Sequence, residues 1–142
     1  MSWNIEQSTE EIALLLESGV IYRDAGKLQE ARDVFRGVRA LRPSSEIPEV
    51  FLGTVNFQQA RFDEAIEHYQ KAIRINNRSA WAYAQLSEAQ VFRGEIAAAR
   101  ITVKRALELD PHGEFGCFAR TLLAFADQLS NPDTEASKEQ PS

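Results

Sequence analysis

GTVNFQQARFDEAIEHYQKAIRINN, residues 53–77, is the stretch on which the fold turns. Ala65, Tyr69 and Ala72 stand four and three positions apart, so they share one face of a helix. Ala60 marks a break, and Asp63 and Glu64 follow it, where anions suit a first helical turn. The same reading recurs along the chain. Residues 12–45, 46–79 and 80–113 are three blocks of 34 that align without a gap. Self-similarity at such a period is the signature of a repeat architecture.

The columns of that alignment have physical reasons. Ala31, Ala65 and Ala99 are small, which lets two helices approach closely. Phe35, Tyr69 and Val103 follow four positions later on the same face, and then Val38, Ala72 and Ala106. A second small column holds Gly19, Gly53 and Ser87, and the break column holds Gly26, Ala60 and Gly94. Gly26 and Gly94 suit the positive φ that ends a helix in a tight turn. Pro43, Asn77 and Pro111 close the blocks, and the two prolines stop a helix. These signals predict helices near 9–24, 28–41, 46–59, 63–75, 80–92, 96–109 and 114–129. Ser8 with Glu11 forms a capping box for the first, Ser79 caps the fifth, and Pro48 fits the first turn of the third. No segment has the alternation of a half-buried strand.

The rest of the sequence narrows the function classes. Length, 142 residues, suggests one domain with a real core, and the charged fraction of 26% is ordinary. The net charge of −5 is spread along the chain with no Lys/Arg stripe, so the footprint of a nucleic-acid binder is missing. No apolar run approaches the roughly 20 residues of a membrane span, and the N-terminus lacks the pattern of a signal peptide. With one cysteine, Cys117, no internal disulfide can form. The reading is a cytoplasmic protein that does not insert into membranes.

Catalytic and metal constellations do not assemble. His68 and His112 are 44 positions apart, without metal-ligand spacing. His68 reads as a surface histidine on the wet side of its helix. His112 follows Pro111 at a helix end, where a cation suits the dipole. Cys117, between Phe115 and Phe118, reads as a buried structural thiol. Glu10, Glu11, Asp63, Glu64 and Glu67 read as helix-face and first-turn charges. No phosphate-binding glycine loop is present. The expectation is a protein that is not an enzyme and has no cofactor, no metal and no catalytic residues.

The repeats resemble the tetratricopeptide repeat family. GTVNFQQARFDEAIEHYQKAIRINN (53–77) is similar to its signature, LSEAQVFRGEIAAARITVKRALELDP (86–111) is close, and GVIYRDAGKLQEARDVF (19–35) is recognisable. Asn56 and Gln90 stand where the family usually has Tyr, and Val103 replaces an aromatic; looser packing or a surface is expected there. The resemblance implies an all-α, right-handed α-solenoid of three helix pairs. Residues 1–11 form an N-terminal extension running into the first helix. GEFGCFARTLLAFADQL (113–129) departs from the repeat, so residues 114–130 are expected to cap the array through Phe115, Phe118, Leu122, Phe125 and Leu129. Residues 131–142, without a large apolar side chain, are expected to be a mobile tail.

In this family the first helix of each repeat lines a concave groove. Carried onto this chain, the groove holds Ala13, Leu16, Val20 and Arg23 from repeat one. Repeat two supplies Ile47, Val50, Thr54 and Phe57, and repeat three Trp81, Ala84, Glu88, Val91 and Phe92. The expected partner is a protein or peptide segment with apolar anchors, and Trp81 is the expected anchor site. Family members that clamp acidic C-termini use Lys, Arg and Asn in this groove. Leu16, Val20, Phe51, Trp81 and Gln85 stand at those positions here, wrong for holding a carboxylate. Among its members, the chain looks most like the tetratricopeptide chaperones of bacterial type III secretion; the alternative is a structural adaptor within a standing complex. Trp3 and Ile5, ahead of the first helix, are expected either to support a weak homodimer or to fold back over repeat one.

Overall fold

A computed structural model describes residues 8–130. Among them every regular element is a helix: α1 (Thr9–Asp24), α2 (Leu28–Leu41), α3 (Ile47–Gln58), α4 (Phe62–Ile75), α5 (Ala80–Arg93), α6 (Ile96–Leu109) and α7 (Glu114–Ser130). The ends agree with the sequence periodicity to within one residue, because capping and turn chemistry mark them. Ser8 Oγ accepts from the Glu11 amide at 3.2 Å and Ser79 Oγ from the Ala82 amide at 3.2 Å. Gly26 and Gly94 adopt φ of 79° and 88°, and Ala60, in the same column, is forced to 59°. No described helix is long and apolar enough to cross a membrane.

The chain divides into two compact units, up to Asn77 and from Arg78. In a repeat array each unit contacts only its neighbours, so a repeat boundary is where contacts thin out. In the first unit α1 packs on α2, α2 on α3 and α3 on α4. Ala31, Phe35, Leu52 and Val55 form a core that Leu16, Val20, Leu28 and Phe51 cover. The glycine column is set by the aromatic column: a Cβ on Gly19 would stand 2.8 Å from Phe35 Cζ.

In the second unit α5 pairs with α6, and α7 lies against both. Val91, Ala99, Leu122 and Ala126 form one core cluster, and Val103, Ala106 and Ala119 another. Here the columns change together: Ser87 replaces glycine and Val103 the aromatic, and both are fully buried. Smaller bulk on one helix permits a side chain on the other, so Val103 is a packing residue and not a loosened site.

Candidate partner-binding surfaces

The first unit presents a half-buried face from α1 and α3. Phe51 stacks on Phe35 with ring centroids 4.9 Å apart and an interplanar angle of 9°. The Arg23 guanidinium lies 6.0 Å from the Phe51 ring centroid, within cation–π reach. Its Nη1 donates to Thr54 Oγ1 at 2.7 Å, and its Nε to Asp24 Oδ1 at 3.1 Å. Thr54 Oγ1 in turn donates to the Phe51 carbonyl at 2.6 Å. Arg23 is thus engaged by Phe51, Thr54 and Asp24 together.

Beneath that face, Glu49 is buried and ties three helices together. Arg39 of α2 donates to its Oε1 at 3.3 Å, and His68 Nδ1 of α4 lies 2.7 Å from its Oε2. Burial raises the Glu49 pKa, but the His68 contact and then Arg39 outweigh it and hold the carboxyl below its ordinary value. His68 is therefore not the wet surface histidine expected: its side chain is 22% exposed and engaged on Glu49. The periodicity of one helix cannot show a partner from another.

The second unit contains a cavity of about 240 Å³ lined by Trp81, Ala84, Gln85, Glu114, Phe115 and Phe118. Its construction is local. Asp110 Oδ2 accepts from the Phe115 amide at 3.0 Å and the Gly116 amide at 3.2 Å, which satisfies two free donors of the α7 N-terminus. That cap places Phe115 opposite Trp81, with ring centroids 6.4 Å apart. Gly116 is required, because a Cβ there would collide with the Asp110 backbone carbonyl. The far end of α7 is tied by Arg100 of α6, which pairs with Asp127. Glu88 lies four residues beyond Ala84 on the same helical face, and burial raises its pKa. The cavity suits one or two apolar side chains, below the roughly 300 Å³ of a typical small-molecule pocket.

Most expected groove residues fall on these faces, but not all offer a side chain. Leu16, Val20, Arg23, Thr54 and Phe57 are half-buried in the first unit, and Ile47 and Ala13 are exposed. Val50 is fully buried, so it packs α3 and cannot touch a ligand. Trp81 and Glu88 are half-buried and Phe92 is exposed in the second unit. Ala84 is nearly buried and forms a cavity wall, and Val91 belongs to the core. Gln85, placed in the groove by its clamp position, lines the cavity; sequence reasoning missed Glu114, Phe115 and Phe118 as lining groups, and a break in the repeat after Pro111 was their only signal.

Three further expectations change. Cys117 is exposed on the outer side of α7, not buried. Phe125 and Leu129 are exposed, because Ala126 is the residue that faces Val91 and Ala99. Asn56 and Gln90 are buried rather than surface markers, and Gln90 Oε1 accepts from Thr102 Oγ1 at 2.7 Å. Trp3 and Ile5 lie outside the described residues. Among those residues no group of three or more His, Cys, Asp or Glu could hold a metal ion.

Residues 56–115 match the family model described as tetratricopeptide repeat. No curated protein matches the chain significantly. Among solved structures, the Sgt2 tetratricopeptide domain from Aspergillus fumigatus superposes with a TM-score of 0.78 at 14% identity, covering 99% of this chain and 92% of that one. The first such domain of Spaghetti (RPAP3), bound to the HSP90 peptide SRMEEVD, gives 0.74 at 22% identity, covering 89% and 98%. The Yersinia enterocolitica type III secretion chaperone SycD, in complex with a peptide of the translocator YopD, gives 0.73 at 19% identity, covering 87% and 97%. At these identities the superpositions speak for the fold. Residues 56–115 therefore belong to the tetratricopeptide repeat family, and the chain has the fold of that family's domains.

Proposed function

We propose that this protein is a non-catalytic binding module that holds an apolar segment of another polypeptide. The observation that carries the reading is the aromatic-walled cavity between Trp81 and Phe115, with Gln85 and Glu114 at its edge. An apolar pocket with a few polar groups seats an anchor side chain, and tryptophan is enriched at such sites. Peptide complexes of similarly folded domains support it: RPAP3 with an HSP90 peptide and SycD with a translocator peptide.

Within that reading, a chaperone that holds an apolar client, as in type III secretion, fits better than a clamp for acidic C-termini. Leu16, Val20 and Phe51 cover the core, and Trp81 and Gln85 line the cavity, so those positions supply no cation. Arg23 is already engaged by Thr54 and Asp24. A structural adaptor remains the competing assignment, and α7 serves in either as the cap of the α5–α6 pair.

The test is selection from a random peptide library on the full chain and on Trp81→Ala. Enrichment of peptides with a large apolar anchor, lost on Trp81→Ala while helicity is kept, supports the proposal. Selection of acidic C-termini, or the same peptides from both proteins, removes it.

A further inference from the structure

The cavity of the second unit is not apolar throughout. Trp81, Phe115 and Phe118 wall it with rings and Ala84 with a methyl group, but Gln85 and Glu114 line it too. The rings account for an apolar anchor; the amide and the carboxylate do not follow from it. Elsewhere on α5 the fold uses the polar side chains it covers. Ser87 Oγ donates to the Ala84 carbonyl at 2.6 Å, and Gln90 Oε1 accepts from Thr102 Oγ1 at 2.7 Å. Gln85 is half-buried and Glu114 exposed, and among the described residues neither has a hydrogen-bond or ion-pair partner. Solvent reaches both groups while the cavity is open. A side chain that enters must replace those bonds or leave the Gln85 amide buried and unpaired.

That requirement ranks the anchors. Leu, Ile, Met and Phe fill the volume and offer the polar pair nothing. The indole N–H of Trp donates to an oxygen of Glu114 or Gln85 but accepts nothing from the Gln85 amide nitrogen. A phenol serves both groups: its O–H donates to the Glu114 carboxylate in a charge-assisted bond, and its oxygen accepts from Gln85 Nε2. Its ring packs on the same walls as Phe, since Trp81 and Phe115, with centroids 6.4 Å apart and planes 30° from parallel, offer aromatic surface at two inclinations. A cation is disfavoured. Trp81 is the second residue of α5 and Glu114 the first of α7, so two helix N-terminal ends, each with partial positive charge, border the cavity. Glu114 itself turns away an anion. Resting on the function proposed above, we propose that the anchor this cavity takes is a tyrosine side chain of the partner, with its hydroxyl held between Glu114 and Gln85.

Short peptide pools, randomised except for Tyr, Phe, Trp or Arg fixed at the centre, test this by selection on the immobilised full chain. The Tyr pool should be the most enriched. Single peptides from it should bind on the order of 10-fold more weakly when the anchor is replaced by Phe, or by O-methyltyrosine, which lacks the donor. Gln85→Leu and Glu114→Ala should each bring the ratio of Tyr to Phe affinities toward one, with the helical circular dichroism unchanged, and Trp81→Ala should weaken every anchored peptide. Enrichment of the Phe, Trp or Arg pool to the level of the Tyr pool would overturn the tyrosine assignment. If that binding is still lost in Trp81→Ala, the cavity remains the binding site and only the anchor's identity falls. A preference for Tyr that persists in both Gln85→Leu and Glu114→Ala would also overturn it, because the hydroxyl would then be read elsewhere. Peptides indifferent to Trp81→Ala would remove the proposed function and the tyrosine assignment together.

Discussion

Gly53 on α3 faces the Tyr69 ring on α4 so closely that an added Cβ would stand 2.7 Å from Tyr69 Cδ1 and nearer still to Cε1. Gly53→Ala should therefore destabilise the protein by about 1–3 kcal/mol through overpacking, despite alanine's better helix propensity. In a Tyr69→Val background, which copies Val103 of the third repeat, the same substitution should be neutral or stabilising. A double-mutant cycle by urea denaturation measures the coupling; additive effects would sink the steric explanation.

Ala60 holds a φ of 59°, the left-handed region that glycine occupies at Gly26 and Gly94. A non-glycine residue there costs roughly 1–2 kcal/mol, partly offset by the larger entropy of an unfolded glycine. Ala60→Gly should raise stability by about 0.5–1 kcal/mol, read as a higher denaturation midpoint at unchanged m-value. A lower midpoint would show that the turn is not strained.

Glu49 gives the fold an acid-sensitive joint. Its folded pKa lies below the ordinary 4.5, because His68 and Arg39 outweigh burial. A depressed carboxyl contributes stability that is complete above its unfolded pKa and is lost as pH falls through the folded value. Glu49→Gln should cost about 1–2 kcal/mol at pH 7, a range that allows for the half-exposed Arg39. The difference from wild type should shrink below pH 4.5, the ordinary carboxyl value. Chemical denaturation across pH checks this; a difference independent of pH would mean that Glu49 acts through shape alone.

Trp81 and Asp110 should separate binding from folding in different proportions. Trp81 is half-buried at the cavity, so Trp81→Ala should cost less stability than the roughly 3–5 kcal/mol of a core tryptophan and weaken a selected apolar peptide by about 2 kcal/mol or more. Asp110→Ala should lose about 1 kcal/mol of stability as the α7 cap goes, and weaken the same peptide through a loosened Phe115. Calorimetric titration and thermal melting of both variants decide. Unchanged affinity in a folded Trp81→Ala protein would move the binding site elsewhere.

Glu88 should make that peptide binding pH-dependent. Its pKa is raised by burial, and an apolar ligand on the same face would desolvate it further. Proton uptake should accompany binding, so affinity should increase as pH is lowered from 7 toward 5, and Glu88→Gln should abolish the dependence. An identical slope in Glu88→Gln would place the titrating group elsewhere.

The helices, their ends and the repeat were written in local sequence. Apolar period, Ser8 and Ser79 caps, and glycine turns act within a few residues of one another, so a linear reading captures them. The columns also encoded which helix pairs pack, since Gly19 with Phe35 and Gly53 with Tyr69 are steric complements at a fixed separation. The roles of individual polar and surface residues depended on helices remote in sequence. His68 became a partner of Glu49 from another helix, Gln90 was satisfied by Thr102, and Val50 sank into the core. The cavity beside Trp81 needed the Asp110 cap and the departure of α7 from the repeat, and no periodic rule predicts an element that breaks the period. Sequence determined the faces each helix carries, because helical period is local; tertiary structure decided which faces are covered, because burial is set by neighbours the chain brings back from elsewhere.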